Sequence, residues 1–572
     1  MKNSKPIADI HCHSGLKPAF NEKITNLWDY KKNNHPREFL PFFNIFRLVK
    51  LNQIEKELST ETQSNLDSCL KGNARLIGFT IYPIERQYAS RKNGYLGFLS
   101  VFTFFLFKKG MTKIFSRKKE LYVSLMEIFV GISRKTILRF WEEQKDKEKE
   151  TVDYYHDYKT ELQIFIDEHN KEVVEGTKRL KLVQSYKEYE VFKEDENTIC
   201  GFLTAEGLHS FGSYNLKDLF QKKNIDTISE NNRKAVIGSF EKNLREVRQG
   251  NHCPLFITLA HHFNNLIFGH AKTFAFPMNL FFRQDPEMNT GITTYGKSLI
   301  KDLLDKKKGR RILLDIKHLS VKSRTQFYQL IEDCNTEFLA EQDSMKIPIV
   351  CSHAAVNGRK TLKETFMTKM KSSTNKKAYV SRWDVNLCDE DILKIRDSNG
   401  LIGVLMHEGR MPGKIFGKRL KEILESKELD KDEKIKVQKL LYIQLFLTNV
   451  YHIVQVTHNT PNGMSNMKGW DIVSLGSDND GIVNPFDTYK DSGYLTEFRN
   501  DIEEYLNNYQ QNLEAGYGII DVLQSYRGKK QMPELDVKRL NGSYSTKNIV
   551  DKIFYENVET FLETYFTEDY LT

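Results

Sequence analysis

Two histidines, two residues apart, introduce the chemistry of this chain. In IADIHCHS (residues 7–14), His11 and His13 end a short apolar run. Side chains at i and i+2 share one face of a strand, so both imidazoles can grip one ion. An H-x-H pair alone is weak evidence, since ordinary strand-end histidines give the same pattern. Later positions change the odds. Glu206 in LTAEGLHSF, His318 in LLDIKHLS, His353 in PIVCSHAAV and Asp478 in SLGSDNDG each follow an apolar run of their own.

Taken singly, each has a bland role. Glu206 at the mouth of a buried strand is costly unless it is paired or bound to a cation, and a salt bridge would suffice. His318 or His353 alone reads as a satisfied core or loop histidine. Asp478 lies among turn formers, although Asp480 fits the turn role better. Taken together, His11, His13, Glu206, His318 and His353 make an N/O ligand set suited to two divalent ions, zinc or a similar metal. A carboxylate between two cations about 3.5 Å apart would hold them as one unit, with a shared hydroxide as nucleophile. Metal binding lowers the pKa of water toward neutrality, which makes that hydroxide accessible. Asp478 would take the proton of the attacking water and pass it to the leaving amine. His261 in ITLAHHFNN would donate to the oxyanion of the tetrahedral intermediate. Its neighbour His262 points elsewhere if the strand continues, and is expected to be structural. His407 and Glu408 end another apolar run and are assigned no role. No P-loop, dinucleotide-binding glycine pattern, G-x-S-x-G elbow or H-E-x-x-H is present.

The elements that must position these residues are legible as short apolar runs. ARLIGFTIYPIE, ICGFLTAEG, PLFITLAHH, RRILLDIKH, KIPIVCSHA, GLIGVLMHEG and DIVSLGSDND each read as a parallel strand buried on both faces. Helical stretches such as TTYGKSLIKDLLDKKKG and DEDILKIRDSNG lie between them. Strand–helix alternation implies βαβ units, and ionisable residues at successive strand ends imply the catalytic face of an α/β (β/α)8 TIM-type barrel. Strand ends from residue 11 to residue 478 favour one metal-dependent hydrolase barrel domain over residues 1–572. Large, mostly helical insertions account for the length, at 15–70, 87–180, 209–250, 355–383, 408–450 and 505–545.

Composition narrows the partners. The chain has 85 basic and 76 acidic residues, a net +9 that is small for 572 residues. No basic stripe interleaves with stacking aromatics, so no nucleic-acid partner is expected. Seven scattered cysteines without a C-x-x-C pair read as reduced thiols in a cytoplasmic protein. The start, MKNSKPIADIHCH, has no apolar h-region, so no secretory signal is expected. The longest apolar run, YLGFLSVFTFFLF at 95–107, is shorter than the roughly 20 residues of a spanning helix. Its expected role is a buried helix or a self-association surface, as in a homodimer. Its flanking lysines and arginines make peripheral contact with an anionic membrane the sharper alternative.

TAEGLHS, ITLAHHFNN, GITTYGKSLI, LLDIKHLS, PIVCSHAA and LGSDNDG, in that order, resemble the membrane (renal-type) dipeptidase family of the amidohydrolase superfamily. IFYENVETFLETYF echoes that family's last helix. The resemblance implies a (β/α)8 barrel with a binuclear zinc site. His11 and His13 would bind one ion, Glu206 would bridge, and His318 with His353 would bind the second. His261 would hold the substrate or polarise its scissile carbonyl, and Asp478 would handle protons. The implied substrate is a dipeptide, with a D-residue tolerated at the C-terminal position. Two positions depart from the pattern. The family has H-x-D where this chain has His11 and His13, which keeps a ligand and removes a negative charge. The family arginine that binds the substrate carboxylate is adjacent to an asparagine, whereas in SRWDVNLCDED Arg382 lies four residues before Asn386. The expected function is hydrolysis of a dipeptide or related amide. The alternatives are the same site acting on a different C–N or ester bond, and a metal-holding scaffold that binds a membrane surface or protein partner.

Overall fold

Runs of Ile, Val, Leu and Phe without polar alternation form strands that need cover on both faces. In the computed structural model they become eight parallel strands, β1 (Ile7–Cys12), β2 (Ala74–Ile81), β3 (Thr198–Glu206), β4 (Phe256–Thr258), β5 (Leu313–Asp315), β6 (Ile349–Ala354), β7 (Leu401–Val404) and β8 (Val473–Leu475). The structure describes residues 5–29, 62–89, 123, 131–143, 151–171, 176–274, 282–367, 378–459, 469–525 and 534–572. The apolar 95–107 segment lies outside the described residues.

Each strand pairs with the next in sequence, and β8 returns to β1 with Asp9 opposite Leu475. The sheet therefore closes, and the fold is the expected (β/α)8 barrel. The longest ladder joins β2 to β3, from Leu76 opposite Cys200 to Ile81 opposite Ala205. A short strand, Arg179–Leu182, runs beside the first half of β3.

Helices ring the barrel, and their starts carry side-chain caps that satisfy otherwise orphaned N–H groups. Asn65, Ser229, Thr293 and Ser320 cap the helices Leu66–Lys71, Glu230–Gln249, Thr294–Leu304 and Val321–Glu341. The helix Lys431–Asn459, between β7 and β8, is the one among the described residues long and apolar enough to span a bilayer, and 94% of its apolar window is buried within the fold. Near the end of the chain, Asn557 begins the helix Asn557–Tyr565 and donates to the carbonyls of Trp470 and Val473, both at 2.7 Å, which ties that helix to β8. All seven cysteines are buried free thiols.

The barrel interior is polar just below its C-terminal mouth. Thr80 on β2 bonds Thr204 on β3 at 2.8 Å. Asp315 on β5 accepts from Thr258 Oγ1 and Ser352 Oγ, both at 2.6 Å. Asp9 on β1 accepts from the Ser477 hydroxyl at 2.5 Å and its amide at 3.0 Å. Buried carboxylates are costly unless hydrogen-bonded, and each here is satisfied by neighbouring strands. This floor fixes the strand ends above it.

Candidate metal centre

Glu206 ends β3 with 2% of its surface exposed, and the chain then turns sharply at Gly207, where φ is +85°. A side chain at 207 would meet the His209 ring at 2.3 Å, so only glycine fits. The imidazole Nε2 atoms of five histidines converge on the Glu206 carboxylate. His11 lies at 3.7 Å, His13 at 3.2 Å, His318 at 3.3 Å, His353 at 3.6 Å and His261 at 3.5 Å. His11 and His13 are 3.2 Å apart through Nε2, and His318 and His353 are 3.3 Å apart through theirs.

The donor atoms fall into groups that share Glu206. His11, His13, Glu206 and Asp478 form one, and Glu206, His318 and His353 form another, each with ligand atoms within 4.8 Å of one another. Asp478 follows β8, with Oδ1 at 3.4 Å from His13 and 3.8 Å from His11, and Oδ2 at 3.8 Å from His353. Its carboxylate thus lies at ligand distance as well as beside the position where protons would move, a double placement that its sequence context does not reveal. His318 and Asp478 both hold positive φ, 65° and 59°. Left-handed backbone is costly for a side-chain-bearing residue, and such costs gather at functional sites.

Behind three of these Nε2 atoms the other ring nitrogen is oriented, while His13 Nδ1 and His318 Nδ1 have no hydrogen-bond partner. His11 Nδ1 meets Thr80 Oγ1 at 3.1 Å, and His353 Nδ1 meets Ser352 Oγ at 2.9 Å, which in turn reaches Asp315. His261 Nδ1 lies 3.0 Å from both oxygens of Glu85. Such outer partners fix tautomer and ring plane, leaving Nε2 as the ligand atom. Glu206 Oε1 is buried with no hydrogen-bond donor, an arrangement that a cation would satisfy. The set therefore fits one or two borderline divalent ions in N/O coordination.

Electrostatics follow the grouping. Burial disfavours charge on His13, yet Asp478 and Glu206 outweigh it and hold the ring up at about 10. Burial would raise Glu206, but His261 and His11 hold it well below the usual carboxylate range. Burial pushes His318 and His353 well below the ordinary imidazole value.

The structure brings His11, His13, Glu206, His261, His318, His353 and Asp478 into one cluster. Arg382 is half-buried on the irregular stretch between β6 and β7, and Asn386 of the same stretch donates to the Arg410 carbonyl at 3.0 Å. His262 is held by Thr273, whose Oγ1 meets its Nδ1 at 2.9 Å, and it also lies against the cluster. β4 stops at Thr258, so the strand does not continue; the His262 ring stacks on His261 at 3.8 Å and lies 5.0 Å from His318. Asp480 ties the loop down through Lys17 Nζ at 2.6 Å and the amide of Ser64 at 2.7 Å. Glu408 binds Tyr442 and Asn484, away from the cluster.

Glu85, Lys317 and Arg410 were not singled out from sequence. Glu85 accepts from Tyr82 Oη and from the His262 amide as well as facing His261. It ends the apolar run IYPIE, the same pattern that marks Glu206, and that was the available signal.

No family model matches the sequence, and a search of curated proteins found no match. Solved structures similar in overall path include a metallo peptidase from Rhodobacter sphaeroides liganded with a phosphinate mimic of the dipeptide L-Ala-D-Ala. It is 14% identical with TM-score 0.42, over 98% of this chain and 99% of its own. A dipeptidase described as a metallo peptidase of family M19 is 13% identical with TM-score 0.42, over 98% of both chains. The probable dipeptidase PvdM from Pseudomonas aeruginosa is 12% identical with TM-score 0.44, over 89% of both chains.

Proposed function

We propose that this protein is a metal-dependent hydrolase that cleaves a dipeptide or a related amide bond. The observation that carries the reading is the convergence of His11, His13, His318 and His353 on the buried carboxylate of Glu206, with Asp478 alongside. His11, His13 and Asp478 would hold one divalent ion, His318 and His353 a second, and Glu206 would serve both. Bound there, the ions would supply Lewis acidity and water activation at neutral pH.

The chain's own residues supply the rest. Asp478 is positioned to accept a proton beside the cluster and return it to a leaving amine, with 8% of its surface open to the mouth. His261, between Glu85 and Glu206, would orient the scissile carbonyl and donate to its oxygen as charge develops. Glu85 fixes the His261 ring, so its Nε2 faces the cluster.

Metal analysis of the purified chain, paired with a dipeptide panel that includes D-residues at the C-terminal position, tests this. Two zinc-class ions per chain, with turnover lost to chelator and restored by zinc, are expected. Absence of stoichiometric metal would sink the reading. Stoichiometric metal without turnover of any dipeptide would remove the substrate and leave the site.

A further inference from the structure

His262 has no part in the hydrolytic reading, yet it is held as firmly as the residues that do. Gln284 Nε2 donates to the Thr273 hydroxyl at 2.5 Å and to the His262 carbonyl at 2.7 Å. Gln284 Oε1 accepts from the amides of Thr273 and Phe274, at 3.0 and 2.8 Å. This clip fixes the Thr273 Oγ1 that meets His262 Nδ1. A hydroxyl has two acceptor positions, so Thr273 can take the Nδ1 proton beside the Gln284 amide and leave Nε2 a bare lone pair. His261 is prepared in the same way. Its Nδ1 faces Glu85, and a carboxylate only accepts, so Nε2 of the neutral ring is again a lone pair.

His318 completes a triangle. Its ring centroid lies 4.7 Å from that of His261 and 5.0 Å from that of His262, and ligand nitrogens of the three rings fall within 4.8 Å of one another. A tetrahedral ion holds imidazole nitrogens at about 2.0–2.1 Å and so about 3.3 Å apart, which asks the rings to close by about 1.5 Å at most. All three are buried, on the turns that follow β4 and β5. No carboxylate belongs to this set, unlike the two groups that share Glu206. Three neutral imidazoles suit zinc, copper(II) or nickel(II), and do not suit magnesium or calcium, which take oxygen ligands.

We infer that His261, His262 and His318 form an accessory position for an imidazole-seeking divalent ion, beside the hydrolytic centre and filled after it. Later filling follows from a ligand set with no negative charge and from repulsion by ions already held at Glu206. His318 is the shared corner. It faces Glu206 at 3.3 Å, so an ion in the accessory position pulls on a residue that the second ion needs. The same ion occupies His261 Nε2, the atom turned toward the scissile carbonyl, and displaces the proton an oxyanion would require. Metal in excess should therefore inhibit. That consequence rests on the hydrolase reading, whereas the binding does not.

The test is equilibrium dialysis of the full chain, first brought to its tightly bound zinc content, against free zinc rising to about 1 mM, with protein-bound metal counted at each step. One further ion per chain is expected, and turnover should fall as it binds. His262→Asn leaves every ligand of the first two ions in place. It should weaken the further ion at least about tenfold, with tightly bound zinc unchanged and the inhibition relieved. Thr273→Val, which alters only the group behind the ring, should weaken it about 10-fold and carries the test if His262→Asn does not fold. Magnesium at the same concentration should not bind there. The inference is overturned if no further ion binds, if it binds both variants as tightly as the parent, or if it binds without slowing turnover. A further ion lost in His262→Asn, in a chain that turns over no peptide, would overturn the hydrolase reading and leave the accessory position standing.

Discussion

The two sides of the barrel mouth differ in charge and in how completely they are paired. On the β2–β4 side, Glu85 and the two histidines beside it are paired. Glu85 accepts from Tyr82, from His261 and from the His262 amide, and although burial favours its neutral form, His261 keeps it ionised. On the β5–β7 side, Lys317 has no partner and burial lowers it to about 8, with Arg410 adding repulsion. A saturated network holds its members in one geometry before substrate arrives. The first side is built to position; the second leaves a buried ammonium without a partner.

The largest effect should come from the centre that both sides share. Glu206→Gln removes the carboxylate common to both ion positions, so bound zinc should fall by at least one ion per chain and turnover should become undetectable. Full zinc content in that variant would separate the sides from any common centre. Asp478→Asn keeps an oxygen and tolerates the left-handed backbone. It is expected to retain metal and lose about 10²–10⁴ in kcat; unchanged kcat would remove its proton role. The contrast between the sides is sharpened by a split in kinetic constants. Glu85→Gln should lower kcat about 10–100-fold with little change in KM, because it frees the His261 ring. A raised KM at unchanged kcat would give Glu85 a binding role instead.

The smallest effect concerns a carboxyl on the paired side that has no cation. Glu161 is fully buried on the helix Tyr154–His169 and accepts from the Tyr82 amide at 2.9 Å, while its other oxygen has no donor. Burial pushes it up to about 8. Its folded value lies above the unfolded one, so the stability it contributes is complete below the unfolded value near 4.5 and is lost as pH rises through 8. Glu161→Gln should flatten that decline, seen as a Tm that falls less between pH 5 and 8 than in the parent chain, at roughly those bounds. An identical slope would show that Glu161 is ionised and paired in the fold.

The barrel was legible because its strands are apolar runs, each stopped by a group that apolar packing cannot accept. β3 is the clearest case: a buried run from Thr198 ends at Glu206. The strands end earlier than the runs suggest. β4 and β5 stop at Thr258 and Asp315, where their side chains join the polar floor, so His261 and His318 sit on the turns beyond. Type and order alone sufficed for the histidines, because imidazoles at successive strand ends face the same mouth. Lys317 and Arg410 carry no such mark, and Glu85 carries it only as the end of IYPIE. Glu85 lies four residues past β2, behind Pro83. Lys317 reads as a spacer before His318, and Arg410 sits in a turn whose direction is set by Asn386 from another loop. Their meaning depends on which charges the fold does or does not bring to them, and no local pattern encodes that.

Barrel closure has a thermodynamic consequence at one corner. The seam between β1 and β8 is held by Asp9 and Ser477, which are 468 residues apart in sequence, and by the Asp478 amide on the His11 carbonyl at 2.9 Å. An ion shared by His11, His13 and Asp478 would be a reversible cross-link over that loop, withdrawing conformational freedom from the unfolded chain. By mass action, each tenfold rise in free ion above its dissociation constant would add about 1.4 kcal/mol to the closed state. The seam would then act as a latch whose strength follows metal supply, so that resistance to proteolysis and catalytic competence would rise and fall together.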